Sequence, residues 1–253
     1  MFETHYAALV VSYAAALAGW LLIHRFRPGL WPAAEATTFA HPWRATGAAL
    51  LGVVGVLLVG QLYVRGWMLP ERGILGPIFG AINQIAIFAP VVLVLVIRRE
   101  PASSAWLSRD RLPARLLAGA GLALLALGVY TLIRAGSDPL PVVLGRVVSY
   151  GRMDEAVQVF LEDITIAILF VRLAAAVGPA KATGLVALLF AVGHIPALLA
   201  GGAAWTELAL LSRDVLLGVA LITVLQRSRD IVWFWFVHFA MDMSQFRAVI
   251  FGA

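Results

Sequence analysis

Long apolar runs, separated by short charged or Pro/Gly-rich breaks, make up most of this chain. Eight runs approach the roughly 20 residues needed to cross a hydrocarbon slab, at 6–24, 45–64, 74–97, 114–134, 154–177, 181–200, 208–226 and 230–250. The breaks, such as HRFRPGLWP (24–32) and RREPASSAWLSRDRLPAR (98–115), combine arginines with helix-stopping prolines. The segment 135–153, AGSDPLPVVLGRVVSYGRM, is too interrupted to span and predicts a surface or re-entrant element leading into the fifth helix. The expected fold is all-α, a polytopic transmembrane bundle of about eight helices within one domain, 1–253. The first run has no basic segment before it, so it reads as a retained helix rather than a cleaved signal peptide.

Polar residues are unevenly shared among these runs. The first four carry almost no ionisable groups in their interiors, which marks 1–134 as a scaffold half. The last four, over 154–250, hold nearly all the embedded polar residues. A charge near the bilayer centre costs at least about 2.5–3.5 kcal/mol, and such residues persist where they face a bundle interior or a wet cavity. The stretch LEDITIAILFVR (161–172), with Glu162 and Asp163 side by side, therefore calls for a functional reading.

Composition sharpens the membrane assignment. Of 253 residues, 62% are hydrophobic and 13% charged, against about 45–50% and about 25% in soluble domains. Mean hydropathy is +0.92. No cysteine is present, so disulfides, a thiol nucleophile and thiolate metal ligands are excluded. The net charge of +5 comes from loop arginines and reads as positive-inside topology, not as nucleic-acid binding. With the N-terminus outside, the inner loops hold eleven cations: Arg25, Arg27, Arg44, Arg98, Arg99, Arg109, Arg111, Arg115, Lys181, Arg227 and Arg229. The opposite side holds six: Arg65, Arg72, Arg134, Arg146, Arg152 and Arg247. That imbalance favours extracytoplasmic termini.

Three short patterns carry candidate chemistry. Glu162 and Asp163 form an acidic pair in the fifth span; Phe190 and His194 lie one turn apart in the sixth; His238 and Asp242 share a helical face in the eighth. If spans five and six are antiparallel neighbours, Glu162 and His194 sit at similar depth. A buried glutamate is a workable general base for water, and imidazoles beside it can hold that water or donate to an oxyanion. The same groups also permit a two-His, two-carboxylate zinc site.

An acidic pair, then F-x-x-x-H, then H-x-x-x-N/D in successive embedded spans resembles the CAAX protease and bacteriocin-processing (CPBP) family of intramembrane endopeptidases. The run DVLLGVALITVLQRSRDIVWFWFVHFAMD (214–242) resembles the family's approach to its last motif, and the likeness covers about residues 155–245. The resemblance implies an eight-helix bundle around a water-filled cavity. It implies Glu162 as the base that activates water and His194 and His238 as its partners. It further implies Asp242 as an orienting or polarising group, Phe190 as a wall, and Asp163 in support. The chain departs from the family's E-E-x-x-x-R motif: its second acid is Asp163, and Ala167 stands where the arginine is expected. Asp163 could pair with Arg152, Arg213 or nothing, and Arg172 reads as a helix-end residue reaching for the interface.

The expected activity is hydrolysis of a peptide bond in a membrane-associated protein tail, exported, C-terminally anchored or CAAX-like, without a cofactor and with zinc as the alternative. The expected partners are an anchored peptide or protein substrate and the lipid bilayer, with no nucleic acid. The expected location is a bacterial inner membrane. Two readings from other classes compete: an ion- or proton-coupled transporter, because embedded acids and histidines also mark ion pathways, and a non-catalytic immunity or binding protein. No inverted repeat favours the transporter. Of the remaining features, the glycine-rich patches GVVGVLLVG (52–60) and GAGLALLALG (119–128) predict close helix packing.

Overall fold

The computed structural model describes residues 2–32, 37–134, 140–200, 202 and 205–246. Among them the chain forms nine α-helices, three short 3-10 turns and no strands. The helices are α1 (Phe2–Phe26), α2 (Pro42–Val64), α3 (Gly76–Ile97), α4 (Leu112–Arg134), α5 (Leu140–Val147), α6 (Met153–Val177), α7 (Pro179–Ala200), α8 (Trp205–Ser228) and α9 (Ile231–Gln245). The eight expected spans correspond to all of these but α5, a helix of about two turns within the segment expected to be too broken to span. The end of the last expected span, 247–250, lies outside the described residues.

Five helices are long and apolar enough to cross a membrane: α1 from His5, α2, α3, α4, and α7 as far as Pro196. This is a membrane protein by length and composition. Helices α6 and α8 carry more charge than a lipid-facing span tolerates. Helix α6 is in fact enclosed, packing against α2, α3, α7 and α9. Leucines such as Leu51, Leu117 and Leu132 are exposed on the outer helices, as a lipid-facing surface requires.

Glycines set the closest approaches. A Cβ on Gly119 would lie 2.8 Å from Trp233 Cα, so α4 and α9 meet backbone to backbone. Gly52 and Gly55 admit α3 equally closely, at Val91 Cα and at the ring of Pro90. Both glycine-rich patches thus serve packing. Trp20 of α1 stacks on Trp233 of α9 with ring centroids 5.8 Å apart, which ties the first helix to the last.

Two sealed ion pairs escape a hydropathy reading. Arg115, counted above among loop cations, is fully buried and meets the equally buried Asp230 at 2.6 Å. Asp230 also caps α9, accepting from the Val232 N–H at 2.9 Å. Arg172 does not reach the interface: it is fully buried. It donates to Glu100, and to the carbonyls of Ile168 at 2.9 Å and Ser104 at 3.4 Å. A guanidinium has five donors in a fixed fork; here the loop after α3 folds back to supply acceptors, which removes the need to snorkel.

The chain reversal between α6 and α7 is one residue long. Gly178 adopts φ +86°, a region that favours glycine, and its N–H closes on the Ala174 carbonyl at 3.0 Å. Pro179 then opens α7, where a missing N–H costs nothing. Glu162 lies sixteen residues before this turn and His194 sixteen after it. At 1.5 Å per residue, each is roughly 24 Å from the reversal. The antiparallel pairing expected from the sequence therefore sets both side chains at one depth.

Candidate active site

Helix α6 turns a polar stripe inward. Glu155, Gln158, Val159 and Glu162 recur at three- and four-residue spacing and line one cavity of about 420 Å³. Phe190, Ala191 and His194 of α7, Asp214, Leu217 and Gly218 of α8, and His238 and Asp242 of α9 complete most of its wall. The exposed residues Gln245 and Phe246 stand at its rim. Helix α1 contributes Leu9 and Tyr13, so the division into scaffold and chemical halves is not complete: the first helix reaches the site.

Adjacent residues on a helix point about 100° apart, and Glu162 and Asp163 are separated accordingly. Glu162 faces the cavity, where its Oε1 accepts from Gln158 Nε2 at 2.9 Å. Asp163 is fully buried, and its Oδ1 lies 2.8 Å from His238 Nδ1. The partner of Asp163 is thus the last-motif histidine, not an arginine. Arg152 instead pairs with Glu155 at 2.9 Å, and Arg213 lies over the Tyr6 ring. Ala167, at the family's arginine position, is buried among apolar neighbours.

The Asp163 contact decides which histidine atom works. A carboxylate only accepts, so His238 Nδ1 carries a proton and Nε2 is the atom left for the cavity. Nε2 lies 3.7 Å from Asp242 Oδ1 on the next turn. One ligand atom each from Glu162, His238 and Asp242 falls within 4.8 Å of the others. His238 is held in place by more than its hydrogen bond, since the rings of Phe234 and Phe190 pack at 5.5 and 6.4 Å. Helix α9 is itself pinned to α6 by the Trp235 indole N–H, which donates to the Ala156 carbonyl at 2.8 Å.

His194 lines the same cavity but stands apart from that three-atom cluster. Its Nδ1 lies 2.8 Å from the carbonyl of Phe190, one turn back, which makes Nδ1 the donor and frees Nε2. The Phe190 ring packs edge-on to it at 4.7 Å. The structure therefore gathers Glu162, His238 and Asp242 closely, sets Asp163 behind His238, and places His194 and Phe190 on the opposing wall.

The sequence analysis did not single out Gln158 or Tyr13, and in the sequence Glu155 reads only as an acid that complements the dipole at the start of its helix. Gln158 was findable, because it precedes Glu162 by four residues and must share its face. Tyr13 carried no signal, since a tyrosine in an apolar span is ordinary.

Chemically, the arrangement offers a carboxylate base, an imidazole held through Nδ1, and a second carboxylate around one cavity. The donor set O, N, O, with a carboxylate behind the histidine, also suits a divalent metal. Comparisons with known protein families, with curated proteins and with solved structures yield no match.

Proposed function

We propose that this protein is an intramembrane endopeptidase of the CPBP kind its motifs resemble, cutting an anchored protein tail with water activated by Glu162. The observation that supports this reading best is the meeting of Glu162, His238 and Asp242 within 4.8 Å in a cavity inside the bundle. Glu162 takes a proton from water as its oxygen bonds to the scissile carbonyl carbon. The carbonyl π electrons move onto oxygen. Collapse then expels the amine, which leaves with the proton Glu162 had taken. His238, held through Nδ1 by Asp163, aims Nε2 at this volume to position the water, and Asp242 shares that task. His194 faces the same volume from α7 and is suited to the substrate side.

The cavity is lined by residues near the start of α6 and the end of α9. By the arginine imbalance, that end of the bundle is extracytoplasmic in a bacterial inner membrane. Tails of exported or C-terminally anchored proteins fit this placement better than cytoplasmic prenylated ones. A reporter fused after Ala253 tests the side: activity only in the cytoplasm would reverse it.

The peptidase reading is tested with purified wild type and Glu162→Gln in nanodiscs, each incubated with peptides carrying membrane-anchor tails. Cleavage by the wild type and none by the variant is expected. Equal cleavage by both would remove Glu162 as the base. The ligand geometry favours one second reading, in which Glu162, His238 and Asp242 hold a zinc ion that supplies the activated water. Loss of cleavage on chelation, restored by added zinc, would select it over the metal-free route.

A further inference from the structure

The chain has five tyrosines, and four of their hydroxyls have a protein partner. Tyr6 donates to the Arg213 carbonyl at 2.8 Å, and Tyr63 to Glu71 at 3.1 Å. Tyr130 meets His5 Nδ1 at 2.5 Å, and Tyr150 donates to the Ile74 carbonyl at 2.8 Å. Tyr13 has no such partner among the described residues, although it is only 4% exposed. Its oxygen is not among the sealed, unbonded polar atoms. A residue so buried with an open oxygen shows that oxygen to a cavity, and Tyr13 lines the one that holds Glu162, His238 and Asp242.

A phenol inside an apolar slab that bonds to nothing is worse than phenylalanine, because the hydroxyl loses water and gains no acceptor. Here the acceptor must come from the cavity's contents. Among the other polar groups on these walls, Glu162 and Asp242 accept when ionised, Gln158 already donates to Glu162, and His238 is committed through Nδ1 to Asp163. A tetrahedral intermediate needs a donor for its oxygen. We propose that Tyr13 is a catalytic residue whose hydroxyl donates a hydrogen bond to the oxyanion formed when water adds to the scissile carbonyl. This rests on the peptidase reading above. No proton leaves Tyr13: the water proton goes to Glu162 and then to the leaving amine, while the Tyr13 O–H stays intact and carries the oxyanion's hydrogen bond. The first helix thus belongs to the reaction, and the substrate's carbonyl oxygen faces α1.

Tyr13→Phe removes one atom and keeps the ring, so thermal unfolding in nanodiscs is expected to be unchanged or slightly raised. Steady-state cleavage of an anchor-tail peptide should show kcat down about 10²–10³-fold, the range for one lost oxyanion donor, with KM within about twofold. Glu162→Gln is measured in parallel. If the wild type cleaves, Glu162→Gln does not, and Tyr13→Phe keeps full kcat or changes KM alone, the Tyr13 assignment is overturned and the peptidase reading stands. If the wild type cleaves no tail, or Glu162→Gln cleaves as well as wild type, the peptidase reading falls and takes the Tyr13 role with it.

Discussion

Asp163→Asn changes one group and separates function from stability. Asp163 is fully buried, its Oδ1 is 2.8 Å from His238 Nδ1, and its Oδ2 has no hydrogen-bond partner. A hydrogen bond to a charged group contributes about 1.5–3 kcal/mol and a neutral one about 1. Substituting the amide, still accepting from Nδ1, therefore removes about 0.5–2 kcal/mol of orientation and polarisation. At about 1.4 kcal/mol per factor of ten, kcat should fall roughly 2- to 30-fold. If the amide turns its NH₂ toward Nδ1, the tautomer inverts, Nε2 takes the proton, and the loss grows toward the ~10⁴-fold known for a triad aspartate. Stability should move the other way or not at all, because a buried charge with an unbonded oxygen becomes neutral. The assay pairs cleavage kinetics with thermal unfolding in the same nanodiscs, and adds nitrogen NMR of His238, where the wild type carries its proton on Nδ1. Undiminished kcat, or an activity loss matched by a fall in unfolding temperature, would refute the orienting role of Asp163.

Other outcomes follow from the packing. Arg115→Met strands the sealed Asp230 carboxylate and should cost about 3–5 kcal/mol in detergent unfolding; adding Asp230→Ser, which keeps a capping oxygen, should recover most of that. Gly119→Ala drives a methyl into the Trp233 backbone and should lower stability by about 1–3 kcal/mol. Gly121→Ala, two residues away with nothing within 4 Å, should be neutral or stabilising by up to ~1 kcal/mol, and equal effects would reject close α4–α9 contact. Arg172→Lys replaces two separated nitrogens, one on Glu100 and one on the Ile168 and Ser104 carbonyls, with a single one and should lower the unfolding midpoint, whereas an interfacial arginine would tolerate it.

Much of this protein was legible in its pattern of residues. Hydropathy located the helices because burying backbone in lipid demands helices of fixed length. Helical spacing put His238 and Asp242 on one face, and the equal distances of Glu162 and His194 from Gly178 were countable in the chain. These are local facts, set by 3.6 residues per turn and by the conformational freedom of one glycine. What tertiary structure alone decided was the partner of each polar face. Asp163 turns to His238 because α9 packs across α6 just there, pinned by Trp235. Arg172 and Arg115 are sealed because loop acceptors and Asp230 fold onto them. Tyr13 enters the cavity because α1, remote in sequence, is stacked against α9 through Trp20 and Trp233. Periodicity fixes which way a side chain leaves its own helix; which group meets it depends on helices far along the chain, and no local pattern encodes that contact.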